Sequence, residues 1–392
     1  MDPGRVESFP TENPEIRPTA DRVDGLIGQY PQYDLTPIAF YSAEGDQQIP
    51  ISERKDFPKN PAYISVLAQL PDGTLVVLTE PRVLSDPNMI LRLWRSVVVR
   101  DALTKAPSKD DVRMPEVLDV RLMDHPDKGI VVRSVMERYI PAKPVGGVHL
   151  ADPDALTDGD LARIVRFHAR FARVAKRFAD DPEFHHRFIS NPFVNHMHGV
   201  EKNQKNKWWL DFDGRKNDFM RIFGAKDKKA GKEFVERQQR LLEDPATAAL
   251  IEGQDVVVVG NVIPAIVGKD DEGHLVYRII ERTAKAEYLA FDDATFVVTL
   301  ASDPKKMELY MGLVFAHHRS REYYEHLRLS VIFDKAGNLM AIEKAAKDAE
   351  ARGDGAQAEK LWAGFYALKQ FVYDALYQTQ GSVWDVSRYH LS

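Results

Sequence analysis

The chain has 392 residues, more than most single domains contain, so we expect two lobes or domains. Hydrophobic residues make up 44% and charged residues 29% of the chain, a balance typical of a globular protein with a substantial core. The net charge of -6 gives no electrostatic reason to expect binding to nucleic acid or to an anionic membrane, and the absence of cysteine excludes disulfides, thiol catalysis and thiolate-bound metals.

The N-terminal third of the sequence predicts an arm followed by a β-rich lobe. Residues 1–22 are rich in Pro, Glu, Asp and Arg with few apolar anchors, which indicates a mobile arm. Residues 23–140 contain several runs of strand-forming residues. The first clear pair, at 63–70 and 74–78, is separated by Pro71-Asp-Gly73 and predicts a β-hairpin.

A helix and a second pair of strands complete this lobe. Asp86 and Pro87 open an apolar pattern with helical spacing that continues to about Leu103. Residues 114–122 and 129–140 are rich in strand-forming residues and flank a polar turn, so we expect them to pair as strands. The predicted order of this lobe is therefore hairpin, helix and strand pair.

Residues 141–392 predict a mainly helical lobe. Prolines and glycines between 141 and 147 interrupt the strand pattern and mark the expected hinge. Thr157 and Asp160 form an N-cap signal ahead of a helix whose apolar stripe contains His168, which we expect to be a hydrogen-bonded core histidine. Further helices are predicted at 232–242, 286–300, 306–328 and 356–376.

The segment 255–282 carries the clearest signature of a known family. Its apolar strand leads into Gly260 and Asn261, Pro264 follows, and an acidic turn then separates two further apolar runs. This order resembles the catalytic core of the aminoglycoside phosphotransferase and choline kinase family, in which a strand leads to His-Gly-Asp, then to Pro and Asn, a hairpin, and a strand that ends in Asp. A buried strand pair of some other α/β protein is the alternative interpretation.

A second segment, 135–141, resembles the hinge of the same family with one residue extra. It contains Met136, Glu137 and Tyr139, which the resemblance marks as candidate cofactor-binding residues. The hairpin, helix and strand pair before it also come in the order of a kinase-like small lobe. The resemblance therefore implies an α+β, bilobal protein kinase-like fold, with a small antiparallel-sheet N-lobe and a mainly helical C-lobe.

The acidic residues that the family uses for chemistry are missing from the matching positions. Asn261 stands where the family has the Asp that orients or deprotonates the acceptor hydroxyl, and an amide cannot take up that proton. Ile266 replaces the family's Asn, and Glu281 is the nearest carboxylate to the position of the metal-binding Asp. The resemblance makes ATP and Mg²⁺ the candidate cofactors, but these motif residues do not support them.

The cationic side of the phosphate site is missing as well. Residues 79–81, Thr-Glu-Pro, follow the strand after which the family has its phosphate-pairing Lys, and Arg82 is the nearest cation. The next helix carries Arg92 and Arg95 where a Glu would hold that Lys, and no G-x-G-x-x-G loop precedes it. We therefore predict a catalytically degenerate, pseudokinase-like protein that acts by binding a small molecule or a protein in the cleft between its lobes.

Two other hypotheses remain open. The first is an enzyme, such as a small-molecule phosphotransferase, with rewired chemistry in the same cleft, in which Glu80, Glu281, Asn261 or the arginines just named do new work. The second is a protein-interaction module that uses the N-terminal arm and the last predicted helix. The sequence gives neither the ligand nor the oligomeric state.

A polar and aromatic segment, 181–225, is predicted to be irregular. Residues 202–213 mix cations with Trp208, Trp209 and Phe212, and a loop anchored by these aromatics is favoured over a site for single-stranded nucleic acid. Four histidines of the segment are close enough in sequence to bind Zn²⁺, but their spacing matches no zinc motif, so a polar insertion is favoured. These histidines are His185, His186, His196 and His198.

No metal site, nucleic-acid partner or membrane partner is expected. Asp292 and Asp293 are interpreted as helix-capping residues rather than a metal pair, and the turn 270–273 lacks the ligand spacing of a calcium loop. The first ten residues lack the pattern of a signal peptide, and no apolar run approaches the roughly 20 residues of a membrane helix. We therefore expect a cytoplasmic protein.

Overall fold

The computed structural model describes residues 6–8, 20–42, 47–50, 63–82, 84, 87–105, 112–126, 129–144, 155–179, 207–251, 256–259, 267–277, 284–287 and 290–391. The chain forms two compact units. The first contains the described residues up to Pro144 together with 267–277, and the second contains most of the remaining residues from 155 onward. The N-terminal part of the first unit therefore ends at Pro144, within the expected hinge at 141–147. The hairpin at 267–277 comes later in the chain but belongs to the same unit.

The first unit is built on a sheet in which seven strands pair within the described residues, in the order β1-β7-β8-β5-β4-β2-β3. All neighbouring strands are antiparallel except β1 and β7, which are parallel. The strands are β1 (Val6–Ser8), β2 (Thr36–Ser42), β3 (Gln47–Pro50), β4 (Tyr63–Gln69), β5 (Leu75–Pro81), β7 (Val117–His125) and β8 (Gly129–Arg138).

The predicted hairpin and strand pair are both present in this sheet. In the hairpin, β4 and β5 pair from Tyr63 opposite Pro81 to Gln69 opposite Leu75. Its turn needs Gly73, which has a φ of +87°, a conformation that a side chain disfavours. The pair β7 and β8 lies beside β5, so the strand that resembles the family hinge runs along the hairpin strand that ends with residues 79–81.

Two helices of the first unit follow from apolar spacing. Helix α1 (Ala20–Gly28) buries Val23 and Leu26 in a core with Val76 and Leu78 of β5. Side chains of a strand alternate between its faces, so Val77 lies on the opposite face, where it forms a second small cluster. Helix α2 (Pro87–Lys105) confirms the helix predicted to open at Asp86 and Pro87.

A smaller sheet completes the first unit. Its order is β6-β12-β11-β9, so the hairpin at 267–277 lies between two short strands from earlier in the chain, at 112–113 and 143–144. The strands are β6 (Val112–Arg113), β9 (Lys143–Pro144), β11 (Val267–Lys269) and β12 (Leu275–Tyr277). A separate two-stranded sheet pairs β10 (Val256–Val259) with β13 (Ala284–Glu287).

The second unit is mainly helical. Its first helix, α3 (Asp158–Ala179), begins with the predicted capping box, because the Asp160 carboxylate accepts from the Thr157 N–H at 2.9 Å and the Thr157 hydroxyl accepts from the Asp160 N–H at 3.2 Å. The other helices are α4 (Lys207–Phe223), α5 (Lys228–Glu243), α6 (Pro245–Ile251), α7 (Phe291–Thr299), α8 (Pro304–His318), α9 (Arg321–Phe333), α10 (Asn338–Ala351) and α11 (Gly355–Tyr377).

Two helix predictions need correction. Residues 207–223, predicted to be irregular, form α4, because Phe212, Phe219 and Ile222 recur at helical spacing and are buried. The single helix predicted at 306–328 is two helices, because Arg319 takes a left-handed conformation with a φ of 51° and the Ser320 hydroxyl caps α9. Apolar periodicity continued across this break and concealed it.

The architecture confirms the predicted α+β fold class, with an antiparallel-sheet unit followed by a mainly helical unit. No helix of the described residues is both long enough and apolar enough to span a membrane. Most of the predicted arm, 1–22, lies outside the described residues, but Val6–Ser8 forms a strand beside β7 and Ala20 begins α1. Of the three predicted aromatic anchors, Phe212 is buried.

Helices α4 and α5 approach closely at two glycines, and this contact is testable. A Cβ atom on Gly231 would lie 2.4 Å from the Met220 carbonyl oxygen and 2.7 Å from the Gly224 Cα, which real structures do not tolerate. We expect Gly231→Ala to lower the free energy of unfolding by about 1–3 kcal/mol in urea titrations. The matched control Gly214→Ala, in open space on α4, should instead raise it by about 0.5–1 kcal/mol; equal effects would contradict the packing.

Candidate functional site

The three hinge candidates lie at the end of strand β8 and directly after it. Met136 and Glu137 pair with Leu78 and Val77 of β5, and both side chains are buried. Tyr139 follows the strand, and its backbone N–H donates to β5 at the Leu75 carbonyl over 2.9 Å. The structure therefore brings all three candidates beside β5, while their role in cofactor binding stays a prediction.

The two candidates at the catalytic positions, Asn261 and Glu281, lie outside the described residues, and so does Ile266. The four histidines proposed as zinc ligands also fall outside them, between 180 and 206. Two polar regions lie within the described residues: the strands β5 and β8 of the first unit, and a buried polar cluster of the second.

Strand β5 is the strand after which the resemblance places a phosphate-pairing Lys. It carries no cation, and its polar residues, Thr79 and Glu80, are both buried. The Thr79 hydroxyl lies 2.8 Å from the hydroxyl of Ser65 on β4, which satisfies it within the sheet. Glu80 lies on the α1 side of β5. Arg82 follows Pro81, the last residue of β5, and is partly buried. The side chains of Arg92 and Arg95 are not among those that the structure describes.

The carboxylate of Glu80 is bound by Arg22 of α1 and by Gln29, the first residue after α1. Arg22 donates to one oxygen from Nε at 3.1 Å and from Nη2 at 2.7 Å, and Gln29 donates to the other at 3.2 Å. The Glu80 side chain is 3% exposed and that of Arg22 is 17% exposed. Both oxygens are thus occupied, and the carboxylate is shielded from solvent.

A chain of hydrogen bonds continues from this ion pair. The Ser134 hydroxyl of β8 donates to the side-chain amide oxygen of Gln29 (Oε1) at 2.5 Å and lies 2.9 Å from the Tyr30 hydroxyl. Burial raises the pKa of Tyr30 well above its usual range, so its hydroxyl stays neutral, and Arg121 stacks over its ring at 4.8 Å. The network attaches α1 to the sheet through groups that satisfy one another.

These contacts decide what Glu80 can do chemically. Burial raises the pKa of Glu80, although the Arg22 guanidinium and the Gln29 amide act against this rise. A raised carboxyl pKa is a feature of many catalytic sites, but a catalytic carboxylate must also reach its substrate. Glu80 is instead closed off by α1, so the hypothesis of an enzyme that uses Glu80 loses its geometric basis.

The ion pair makes a direct prediction for stability. Glu80→Leu leaves the Arg22 guanidinium partly buried without its carboxylate, so we expect the free energy of unfolding to fall by about 3 kcal/mol. The double variant Arg22→Leu with Glu80→Leu removes both charges, and urea titration should show it to be more stable than Glu80→Leu alone. A double variant at least as unstable as the single one would contradict a role for Arg22 in neutralising Glu80.

A second buried cluster surrounds Asp293 in the helical unit. Asp293 lies in the first turn of α7, and one of its oxygens is 2.8 Å from Nδ1 of His168 on α3. The same oxygen accepts from the Tyr310 hydroxyl of α8 at 2.5 Å, and the other accepts from the Tyr323 hydroxyl of α9. One carboxylate therefore connects four helices.

These contacts confirm one prediction and correct another. His168 is a hydrogen-bonded core histidine, as its apolar stripe indicated. The capping interpretation of Asp293 is wrong, because Ala290 occupies the N-cap of α7 and both oxygens of Asp293 bind side chains of other helices. Side-chain oxygens near a helix start look alike in sequence whether they cap the backbone or bind a tertiary partner.

The ionisation of this cluster favours a charged pair. Burial alone raises the pKa of Asp293, but the hydrogen bond and the charge of His168 lower it below its usual range. Burial alone lowers the pKa of His168, and the Asp293 carboxylate reverses this and raises it. Burial lowers the pKa of the neighbouring His318 to about 4, so that ring is neutral, and it stacks on Tyr323 at 3.6 Å.

The Asp293 cluster is therefore structural rather than catalytic. Its carboxylate is fully buried and bonded by three side chains of the fold, so a substrate cannot reach it. Burial also raises the pKa of Tyr310 and Tyr323 well above the usual range, which keeps both hydroxyls as donors. The arrangement fixes α3, α7, α8 and α9 around one charge.

The cluster predicts a pH-dependent stability. Asp293→Asn removes the charge and should lower the free energy of unfolding by about 3 kcal/mol near pH 5. The depressed pKa of Asp293 stabilises the fold above its ordinary value of 3.8, and the raised pKa of His168 stabilises it below its ordinary value of 6.5. The difference in unfolding free energy between wild type and Asp293→Asn should therefore be largest between pH 3.8 and pH 6.5, and smaller at lower and at higher pH.

Chemical denaturation of both proteins across this pH range checks the prediction. Asp348→Asn, a change on the exposed side of α10, is the matched control and should leave the pH profile unchanged. A difference between wild type and Asp293→Asn that does not vary with pH would contradict the ionised pair.

Three side chains that can act as metal ligands lie close together in the turn of the small sheet: Asp270, Glu272 and His274. Arg113 of β6 already binds two of them, at 2.8 Å to Asp270 and 3.0 Å to Glu272. The second Asp270 oxygen accepts the backbone N–H groups of Glu272 and His274, which closes the turn. These contacts stabilise the hairpin turn that the sequence predicts.

Sequence reasoning missed the partners that occupy the two buried carboxylates. Arg22 was placed in a mobile arm, and no local pattern connects it with Glu80, which is 58 residues away. Tyr310 and Tyr323 were assigned to one apolar helix, where a buried Tyr looks like any other core residue. The one available signal was that both carboxylates lie within apolar runs, where a charge needs a partner.

No protein-family model matches the sequence, and no curated protein matches it. Solved structures similar to the chain include a macrolide 2'-phosphotransferase from Brachybacterium faecium, at 15% identity and a TM-score of 0.44 over 88% of this chain and 98% of that one. An aminoglycoside phosphotransferase from Alicyclobacillus acidocaldarius matches at 14% identity and a TM-score of 0.43, over 80% and 91%.

Choline kinase LicA from Streptococcus pneumoniae matches at 9% identity and a TM-score of 0.35, over 94% of this chain and 96% of that one. At these identities and TM-scores the similarity assigns neither an activity nor a site residue to this chain.

Proposed function

We propose that this chain is a degenerate kinase-like protein that binds a small molecule or a protein without transferring phosphate. The observation that carries the proposal is the end of β5, where the family's phosphate-pairing cation is replaced by Thr79 and Glu80. Thr79 is satisfied by Ser65, and Glu80 is neutralised by Arg22 on the α1 side of the strand. Neither side chain supplies a positive charge to a phosphate.

Electrostatics makes this replacement decisive for transfer. Phosphoryl transfer depends on cations that position the phosphates and offset charge in the transition state. A carboxylate in place of a lysine reverses the sign of the local charge, and the sheet around it is closed by side chains that already have partners. The packing of α1 on Glu80 supports the loss of the amino group, and a shift of one residue in the alignment places no cation at this position.

The substitutions at the acidic positions point in the same direction. Asn261 cannot act as a base toward an acceptor hydroxyl, and Ile266 offers no ligand to Mg²⁺. Loss of one such group lowers the rate of an enzyme, whereas loss of base, metal ligand and phosphate cation together removes the parts on which transfer depends. Recognition without turnover is the function that these residues support best.

The proposal predicts that the purified chain lacks magnesium-dependent ATP turnover. Phosphate release should equal the protein-free blank, with ATP alone and with candidate alcohol acceptors, because base and cation are both absent. The assay should include Asn261→Ala and a matched control, Asn217→Ala, which changes an exposed residue of α4. Turnover that Asn261→Ala abolishes and Asn217→Ala preserves would overturn the proposal and favour the rewired enzyme.

A further inference from the structure

Helix α11 exposes aromatic side chains that the fold does not use. Large hydrophobic side chains are exposed at five of the described positions, and two of these, Tyr366 at 61% and Tyr373 at 41%, lie on α11. The opposite face of the helix is buried and packs on α9 and α10. Aromatic residues that face solvent on a well-packed helix are typical of interaction surfaces.

The outward positions of α11 follow the spacing of a helix–helix contact. They recur at intervals of four and three residues, the repeat that keeps one stripe facing a partner helix. We call these six positions the α11 seam. They are Glu359, Ala363, Tyr366, Gln370, Tyr373 and Tyr377, of which the first five are exposed and Tyr377 is partly buried.

The aromatic side chains of the seam are already ordered. The ring of Tyr366 stacks with Trp362 at 6.0 Å, and that of Tyr373 stacks with Tyr377 at 4.4 Å. The guanidinium of Arg237, on α5, lies over the Tyr377 ring at 4.5 Å. Rings held in place before association lose little conformational entropy when a partner binds.

We propose that the α11 seam binds the α11 seam of a second copy of this chain, with the two helices antiparallel about a two-fold axis near Leu368. In this arrangement the small Ala363 lies opposite Tyr373 of the second copy, so a large side chain fills the space left by a small one. Tyr366 lies opposite Gln370, and Tyr377 lies opposite Glu359, so these two phenols each meet a side chain that accepts a hydrogen bond. A two-fold axis repeats each contact.

Charges beside the seam favour the same arrangement. Lys360 and Asp374 lie on one flank, one position after Glu359 and Tyr373, and the antiparallel register places each opposite the other in the second copy. A dimer therefore contains this ion pair twice. A parallel arrangement would place Glu359 beside Glu359 and leave Lys360 without an acid, so charge complementarity selects the antiparallel pair.

Lys369, a cation close to the proposed axis, is held away from it. Lys369 lies beside the seam, but its Nζ donates to the Ile222 carbonyl at 2.6 Å and lies over the Phe223 ring at 5.6 Å. The two copies of Lys369 therefore do not meet. The seam is about 27 Å long, and a contact limited to one helix per subunit is typical of a weak, reversible dimer.

Sedimentation velocity over a wide range of protein concentration tests the proposal. The mass of the wild-type chain should rise from monomer toward dimer, and Tyr373→Glu should raise the dissociation constant about tenfold or more. Leu309→Glu, at an exposed apolar position on α8, is the matched control and should associate like wild type. A wild-type chain that stays monomeric, or equal losses in both variants, would overturn the proposal.

Charge reversal distinguishes this register from other dimers. Lys360→Glu and Asp374→Lys should each weaken association, because each places like charges together across the seam. The double variant Lys360→Glu with Asp374→Lys restores the opposite charges and should recover association. Absence of recovery would contradict the antiparallel pairing.

Disulfide trapping reports the geometry directly, because the chain contains no cysteine. Ala367→Cys lies close to the proposed axis and should form a linked dimer under mild oxidation. Glu359→Cys places the two sulfurs about 27 Å apart, far beyond disulfide reach, and should therefore form no covalently linked dimer under the same oxidation. Linkage through position 359, with or without linkage through 367, would overturn the antiparallel register.

Discussion

The buried carboxylate of Glu80 is the constraint on which the first unit depends. A charge inside a protein must be paired, and here the partners come from α1 and the residue after it, Arg22 and Gln29. The same pairing extends to Ser134 on β8, so that the helix, the hairpin strand β5 and the strand with the hinge candidates form one connected network. Under the proposed function, the position that would hold a cation for phosphate is therefore occupied by a carboxylate with a structural task.

The second unit depends on the same physics at a different carboxylate. Asp293 is buried among α3, α8 and α9, and its partners are a histidine and two phenols rather than an arginine. Both units thus place one carboxylate at the centre of their packing and satisfy its oxygens from several elements. Such a centre gives each unit a defined arrangement, because removal of any one partner leaves a buried polar group unsatisfied.

Local patterns in the sequence predicted much of the fold. The hairpin at Gly73, helix α2 and the capping box at Thr157 were each visible, because turn chemistry, apolar spacing and capping act over a few residues. The α+β class was implied by the family resemblance, which the order of these elements supports. The break at Arg319 was missed because apolar spacing continues on both sides of it, and the helix at 207–223 was missed because its polar residues outnumber its core positions.

The candidate site was less predictable for a physical reason. Whether Glu80 is catalytic or structural depends on Arg22, and this contact between distant parts of the chain leaves no trace in local composition. Likewise, the self-complementary pattern of α11 becomes informative only when the structure shows which face is buried. The replacements at 79–81 and at Asn261 were visible in the sequence, but their meaning came from the burial and pairing of Glu80.

Calorimetric titration of ATP into the purified chain, with and without Mg²⁺, tests most directly whether the phosphate site has been lost. If Glu80 has taken the place of the phosphate cation and no carboxylate set holds the metal, the heat of binding should be absent or weak, and the same in both titrations. Tight binding that appears only with Mg²⁺ would show an intact site for the metal–phosphate complex and would contradict the proposed loss of phosphate transfer.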